Sequence, residues 1–302
     1  MYNFLALLSG VFIALMVAVN GDLTAMYGNY NATFIVHVVA VILAFAFSKL
    51  GKKKLFPTKK LPLWFYAAGA FGIFSVFFSN YAFSKISLTS ILALNLFGQT
   101  VFSLLIDNLG LFGMEKHPFK KSSLIGLIFS LAGVTVMLVG GGGVDLTEFL
   151  AILLSFATGL NTVFTRSINA RLSEHVGAMP GSFINHLVGL PITLLLVLLM
   201  PGNDISLLVQ RPSPHLWIYL GGLCGLLIVF LMNITVPKLP AFRLTLLAFV
   251  GQVFVGIVID LIIKHDYSSV NFYGGLIVAV GVCLNILNEY VQNSRRKQAV
   301  EE

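Results

Sequence analysis

Two copies of one polar motif lie inside long apolar segments of this chain. Gly98-Gln99 is followed by Asp107, and Gly251-Gln252 is followed by Asp260 at the same spacing. Polar side chains inside a membrane are costly, and they usually face the interior of a helix bundle or a water-filled cavity. The two glutamine amides could therefore bind the polar groups of a small molecule. The alternative is that they hydrogen-bond to neighbouring helices and only fix the packing.

The first copy of the motif belongs to a longer polar face. Asn95, Gln99, Ser103 and Asp107 follow one another at intervals of four residues, which places them on one face of a helix. Gln99 and Gln252 lie near the middle of their segments, where transporters built from inverted repeats bind their substrates. We predict a substrate site that contains these residues: Asn95, Gln99, Ser103, Gln252 and, on a separate segment, Asn161.

Four charged residues near segment ends form a second candidate group. The predicted topology brings Lys85 and Asp260 to the outer side of the membrane, and Lys238 and Asp107 to the inner side. Each pair would join one half of the chain to the other, so the two pairs could act as gates that form alternately. The alternative is that these side chains simply reach the interfacial water.

Two histidines lie inside apolar segments. His37 and His186 each stand about one turn after the predicted start of a segment, which places His37 toward the outer side and His186 toward the inner side. Because histidine changes its charge near neutral pH, the pair could couple transport to protons. The alternative is a hydrogen bond from each ring to a neighbouring helix.

The elements that carry these residues are predicted to be transmembrane helices. The chain has 302 residues, of which 57% are hydrophobic and only 10% are charged, a composition too apolar for a soluble protein. Apolar segments of about 20 residues, the length needed to cross a bilayer, recur along the chain. The ten predicted spans are 3–20, 32–49, 62–81, 88–107, 122–140, 147–165, 181–200, 215–234, 241–263 and 272–290.

The sequence contains the same five-span unit twice. Residues 64–107 align without a gap onto 217–260, with identity at 13 of 44 positions, and an earlier block from Asn20 to His37 repeats from Asn169 to His186. A duplicated unit with an odd number of spans must be inverted in the membrane. The predicted fold is therefore an all-α integral membrane protein with two inverted five-helix repeats, 1–143 and 144–302, an architecture typical of secondary transporters.

The charge distribution predicts the orientation. Ten spans place both termini on one side, and that side holds 16 of the 19 lysines and arginines. By the positive-inside rule this side is cytoplasmic. The net charge of +7 therefore reflects membrane topology, and we expect no nucleic-acid partner.

Motifs for covalent chemistry are not found in the sequence. It contains no phosphate-binding loop, no histidine spacing typical of zinc sites and no nucleophile with a base, and its two cysteines both lie in apolar spans. We expect a protein that is not an enzyme and has no catalytic residues, no bound metal and no cofactor.

Several motifs together resemble a known family. Gly98-Gln99, Asp107, the following Asn108-Leu-Gly-Leu-Phe-Gly113 and Ala132-Gly133 are similar to the YdcZ-type branch of the drug/metabolite transporter superfamily, here at double length. The resemblance implies ten helices around a central cavity, with Gln99 and Gln252 at the cavity and spans five and ten at the periphery. The chain lacks the first-span glutamate of the small multidrug exporters in that superfamily, so proton-coupled export of cationic drugs is not implied.

We therefore predict a multi-pass carrier in the plasma (cell inner) membrane. It moves a small polar or amphipathic metabolite by alternating access, and its partners are that substrate and the lipid bilayer. A channel, a non-catalytic scaffold and an accessory subunit are the alternatives. The substrate, the direction, the coupling ion and the oligomeric state, a homodimer included, stay open.

Overall fold

The computed structural model of this chain describes residues 1–83, 85, 88–117, 121–138, 146–210 and 212–259, with a few positions between 273 and 291. Within these residues the fold consists of helices and contains no strand. The long helices of the described part are α1 (Tyr2–Tyr27), α2 (Asn29–Leu50), α3 (Ala67–Phe83), α4 (Leu88–Leu109), α5 (Lys121–Leu138), α6 (Leu146–Val176), α7 (Ala178–Leu199), α8 (Gly221–Thr235) and α9 (Ala241–Ile259). Shorter helical turns occur at Leu63–Tyr66, Leu111–Gly113, Leu207–Gln210, Leu216–Leu220 and Val236–Lys238.

The length and composition of these helices identify a membrane-embedded protein. Five helical segments of the described chain are long and apolar enough to cross a bilayer. They coincide with the predicted spans one, two, six, seven and eight, whereas α3, α4, α5 and α9 cover the predicted spans three, four, five and nine. The predicted tenth span, 272–290, lies largely outside the described residues. The five segments are Tyr2–Tyr27, Asn29–Leu50, Phe149–Val176, Ala178–Leu199 and Leu216–Lys238.

Two helices extend well beyond the ends predicted from hydropathy. The predicted first span ends at residue 20 and the sixth at 165, but α1 continues to Tyr27 and α6 to Val176. Each helix stops where a glycine adopts a positive φ, 75° at Gly28 and 96° at Gly177, a conformation that residues with a Cβ rarely adopt. Hydropathy detects the segment within hydrocarbon, and the polar end of the helix continues past it. Arg166, which the predicted spans place in a loop, therefore lies inside α6.

The packing of the helices follows the sequence repeat. The closest pairs are α1 with α9, α6 with α4, α6 with α3, α1 with α8, and α2 with α7. If each helix is exchanged for its repeat partner (α1 for α6, α2 for α7, α3 for α8, α4 for α9), the first pair becomes the second and the third becomes the fourth. The pair α2–α7 maps onto itself. The two halves of the chain therefore contribute equivalent helix contacts.

The motif glycines permit the closest of these crossings. A Cβ added at Gly98 or Gly251 would overlap a backbone carbonyl oxygen of the facing helix. Small residues let helix backbones approach closely, so each glycine brings its neighbouring glutamine to a helix crossing. Two further glycines on the facing helices are related in the same way by the repeat. The four contacts are Gly98 with Phe156, Gly251 with Leu7, Gly159 with Asn95, and Gly10 with Ala248.

Candidate functional site

A buried arginine stands at the junction of α4, α6 and α9. Arg166 is only 6% exposed, and its guanidinium donates to groups on both neighbouring helices. Nη2 lies 3.0 Å from Ser103 Oγ, 2.6 Å from Thr245 Oγ1 and 3.1 Å from the carbonyl oxygen of Ala241. Nη1 lies 3.5 Å from Gln99 Oε1. One charged side chain therefore links three helices, of which α4 and α6 come from different halves of the chain.

The polar face predicted on α4 converges on this arginine. Gln99 donates from Nε2 to Asn95 Oδ1 at 2.7 Å, while its carbonyl oxygen points toward Arg166. Ser103, one turn further, also shares a hydrogen bond of 2.7 Å with Thr245 on α9. Three predicted site residues, Asn95, Gln99 and Ser103, therefore belong to one hydrogen-bonded cluster.

Asp107 continues the same face and contacts the start of α9. Its carboxylate accepts hydrogen bonds from the backbone N–H of Ala241 at 2.7 Å and of Phe242 at 2.9 Å. The first N–H groups of a helix have no partner within the helix, and an acidic group there is favoured by the helix dipole. Asp107 thus caps α9 from a different helix, which fixes the position of α9 relative to α4.

The cluster carries opposite charges in a region that water does not reach freely. Asp107 is 6% exposed, as is Arg166, and the two groups attract each other electrostatically. A buried charge without a partner costs several kcal/mol, so the pair and its hydrogen bonds depend on one another. Charged residues within transmembrane segments commonly mark the path of a substrate or an ion.

Asn161 and Gln252, the remaining predicted site residues, lie at other helix contacts. Asn161 donates to the carbonyl oxygen of Phe71 at 2.7 Å and to Ser75 Oγ at 2.8 Å, and so joins α6 to α3. Gln252 lies at the crossing of α9 with α1, where a Cβ on Gly10 would lie 2.8 Å from its backbone nitrogen. The structure therefore brings three of the five predicted substrate residues into one cluster and places these two elsewhere.

The two histidines meet at the contact between α2 and α7. Their ring centroids are 5.5 Å apart and the rings are nearly perpendicular, so the expectation that they lie on opposite sides of the membrane is wrong. The predicted starts of these spans are each about three residues late, and each histidine is in fact the ninth residue of its helix. His37 Nδ1 bonds to the carbonyl oxygen of Thr33 at 2.9 Å. His186 is 6% exposed, and its ring lies beside the backbone of Gly225 on α8.

The inner pair of gate candidates, Lys238 and Asp107, is not joined in this structure. Lys238 is exposed, and Asp107 bonds instead to the start of α9 and lies beside Arg166. The lysine follows α8 in a turn and its ammonium stays in contact with solvent, whereas the carboxylate is buried in the bundle. Lys85 is also exposed, and Asp260 lies outside the described residues, so the outer pair stays a prediction.

Further hydrogen bonds close the same end of the bundle. We use the name Asp107 end for the end where α4 and α6 finish and where α7 and α9 begin. Here Asn233 Nδ2 donates to the carbonyl oxygen of Ala178 at 3.0 Å, and Ser173 Oγ lies 3.4 Å from the carbonyl oxygen of Asn233. The connection between α8 and α9 is therefore held against α4, α6 and α7.

Sequence reasoning missed Arg166 as a functional residue. The hydrophobic segment of α6 ends one residue earlier, so hydropathy assigns the arginine to a cytoplasmic loop. A signal was nevertheless present, because neither glycine nor proline occurs between Gly159 and Gly177 and nothing in that stretch would end a helix. No cluster of three or more His, Cys, Asp or Glu side chains that could hold a metal forms within the described part of the chain.

The fold of this chain is shared with a protein of known structure. No curated protein matches the chain. A protein of known crystal structure aligns over 95% of this chain and 95% of its own, with a TM-score of 0.71 and 17% sequence identity. At that identity the similarity establishes a shared fold.

A family model gives the identity of the repeat unit. The model described as "Putative inner membrane exporter, YdcZ" matches residues 1–136 and again residues 150–287. The two matched segments have nearly equal lengths and follow the two halves of the internal repeat. The chain therefore belongs to the YdcZ family of drug/metabolite transporters, and it contains the family's unit twice.

Proposed function

We propose that this protein is a secondary transporter that moves a small polar or amphipathic metabolite across the cell inner membrane by alternating access. The family and the apolar helices support a transmembrane transporter. The observation that carries the finer proposal is the Arg166 cluster, since a buried cation held by groups on two neighbouring helices is expensive to maintain and is usually functional. We assign no catalytic step and no cofactor to the protein.

The proposed topology is ten spans in two inverted repeats with both termini in the cytoplasm. The two halves make equivalent helix contacts, and their glycines lie at equivalent helix crossings. The excess of lysine and arginine on one side of the membrane supports the orientation. In this topology the Asp107 end is cytoplasmic. The substrate site would lie between α1 to α4 and α6 to α9.

The bonds at the Asp107 end correspond to a state closed toward the cytoplasm. Asp107 and Arg166 hold the start of α9, and Asn233 holds the connection before it. Opening the Asp107 end requires α9 to move away from α4 and α6, which breaks the bonds of Arg166 to Thr245 and Ala241.

The lining of the proposed site favours a substrate with hydrogen-bonding groups. Gln99, Asn95 and Ser103 offer amide and hydroxyl groups, and Arg166 adds a cation beside Asp107. A substrate that accepts hydrogen bonds can replace the contacts that Gln99 makes with the guanidinium. Export is the direction that the description of the family favours.

A thermal-unfolding screen tests the proposal and gives the chemical class of the substrate in the same experiment. Purified protein is screened against a panel of small polar and amphipathic metabolites. A ligand that binds only the folded state raises its stability, by about 2.7 kcal/mol when its concentration is 100 times Kd. The screen is repeated on Gln99→Ala and Gln252→Ala, with Thr135→Ala, which changes an exposed hydroxyl of α5, as the matched control.

We expect at least one ligand whose stabilisation persists in Thr135→Ala and is lost in Gln99→Ala, while the unliganded variants melt close to the wild type. Loss in Gln252→Ala as well would place the ligand at the centre of the two repeats. A ligand that stabilises all variants equally would show that the amides only pack helices and that the site lies elsewhere.

A further inference from the structure

A cavity lies outside the Arg166 cluster, at the Asp107 end. Its volume is about 600 Å³, and it lies among the start of α3, the end of α6 and the turn that follows α4. Apart from one charged side chain, the lining is apolar and mostly aromatic. The residues that matter here are Trp64, Phe65, Phe71, Phe112, Phe164 and Arg171.

The rings are arranged around Phe164. Phe71 meets it edge to face at a centroid distance of 5.2 Å, and Phe112 meets it in the same way at 5.3 Å. Phe112 has a φ of 57°, which is uncommon for a residue with a Cβ. The turn that contains Phe112 adopts this costly conformation, and its ring completes the wall of the cavity.

Arg171 stands at the polar end of this cavity. Nη1 donates to Glu174 one turn further along α6, and the arginine side chain is 29% exposed. A Cβ added at Gly113 would lie 2.5 Å from Nη2, so the glycine provides the space in which the guanidinium rests. The cavity therefore combines an apolar interior with a cation at the level where the helices end.

We infer that the cavity opens toward the lipid. Trp64 and Phe71 line it and are nevertheless 44% and 40% exposed, and large apolar side chains exposed on a membrane-embedded helix face hydrocarbon. Tryptophan is also typical of the interface between hydrocarbon and headgroups. A molecule in the cavity would have its apolar part among the rings and its polar part beside Arg171.

We propose that this cavity binds an anionic phospholipid, with the headgroup on Arg171 and part of an acyl chain among the aromatic rings. The headgroup would bind Nη2 of Arg171, which lies beside Gly113, because Nη1 is held by Glu174. The apolar interior complements an acyl chain. The proposal does not depend on the role of the Arg166 cluster or on the direction of transport.

The repeat shows that the site is present at one end only. The position equivalent to Arg171 in the other half is Asp22, that of Phe164 is Leu15, and that of Phe71 is Cys224. Trp64 is retained as Trp217. The second tryptophan therefore reports on a position that lacks both the cation and the aromatic wall, and it provides a control within the same protein.

The experiment uses the two tryptophans as reporters, since they are the only ones in the chain. Trp217→Phe leaves Trp64 at the cavity, and Trp64→Phe leaves Trp217. Each variant is placed in nanodiscs of unlabelled phosphatidylcholine. One set of nanodiscs also contains brominated phosphatidylglycerol, and the other contains brominated phosphatidylcholine at the same mole fraction. Bromine quenches a tryptophan that it contacts.

We expect brominated phosphatidylglycerol to occupy the site near Trp64 roughly fivefold more than brominated phosphatidylcholine, since one basic residue attracts an anionic lipid by about 1 kcal/mol. The preference should disappear when Arg171→Gln is added to Trp217→Phe, and Trp217 alone should show a smaller preference than Trp64. Equal quenching of Trp64 by the two lipids, or equal preference at both tryptophans, would overturn the proposal. Lys59→Gln with Lys60→Gln, which removes two exposed lysines near Trp64, should leave the preference in place. With that control the comparison of the two tryptophans decides the question even if Arg171→Gln does not fold.

Discussion

Removal of the guanidinium at position 166 should destabilise the protein chiefly through Asp107. In Arg166→Gln, Ser103 and Thr245 keep their mutual hydrogen bond of 2.7 Å, and Thr245 keeps its bond of 2.9 Å to the carbonyl oxygen of Ala241. The neutral acceptors are therefore not left without partners. The carboxylate of Asp107, in contrast, loses the electrostatic attraction of Arg166 while it stays buried.

The magnitude follows from this difference. Removing one partner of a direct buried ion pair costs about 3–5 kcal/mol. Arg166 and Asp107 attract each other electrostatically without a direct ion-pair contact, and Asp107 keeps two backbone N–H donors. We therefore expect a smaller cost, about 2 kcal/mol. Asp107→Asn alone should cost about 2 kcal/mol, because it removes a charge-assisted acceptor from the start of α9 and leaves Arg166 buried without its anion.

The assay is a double-mutant cycle of equilibrium unfolding in mixed micelles, with Arg166→Gln, Asp107→Asn and the double variant. Once both charges are gone, neither is stranded, so the double variant should be more stable than the sum of the single effects predicts, by at least about 1 kcal/mol. Asp22→Asn, which changes an exposed aspartate of α1, is the control and should show no coupling to Arg166→Gln. Additive effects of the buried pair would refute the reasoning.

Two further predictions concern helix contacts. Gly159→Ala should lower the free energy of unfolding by about 2 kcal/mol, because the new Cβ overlaps the Asn95 carbonyl. Gly72→Ala is the control, and it should leave stability unchanged or raise it, because nothing lies within 4 Å of a Cβ at that position. Equal effects of the two substitutions in unfolding titrations would contradict this prediction. His186→Phe should raise the free energy of unfolding by about 1 kcal/mol, because it keeps a ring beside His37 and removes two buried nitrogens that lack close hydrogen-bond partners among the described residues. A destabilised variant in the same titration would show that the contact of His186 with the backbone of Gly225 stabilises the native protein.

The helices of the described part were largely predictable from the sequence because the bilayer imposes a length. Apolar segments of about 20 residues mark the part of a helix within hydrocarbon, and these segments were found in the right order. Their ends were not predictable in this way, since the polar turns of α1 and α6 look like loops on a hydropathy scale. Gly28 and Gly177, which the repeat aligns, marked the true ends.

Part of the candidate site was predictable from helical spacing. The intervals of four residues predicted that Asn95, Gln99, Ser103 and Asp107 share a face, and the first three lie in one cluster around Arg166. The partners across the bundle were not predictable. The predicted topology paired Lys238 with Asp107 because both lie on the same side of the membrane. Topology gives only the depth of a residue in the membrane, whereas the direction in which its side chain points depends on tertiary packing.

The asymmetry between the halves was also hidden in the sequence. The repeat draws attention to residues that the halves share, whereas Arg166 corresponds to Val17 and Arg171 to Asp22. Both arginines lie at the Asp107 end. Residues that depart from the repeat therefore distinguish the two ends of the molecule, and they are reasonable candidates for functions that an exactly symmetric carrier would lack.

The central claim, that the Asp107 end opens and closes during transport, is tested most directly by measuring a distance across it. Spin labels at His175→Cys on α6 and Lys238→Cys before α9, both exposed, are introduced after Cys224 and Cys283 have been replaced by alanine. The distance between the labels is measured in nanodiscs by pulsed electron–electron double resonance, with and without a ligand from the thermal screen. The account predicts a short distance and a longer one whose populations the ligand shifts. A single narrow distance under all conditions would contradict alternating access at this end.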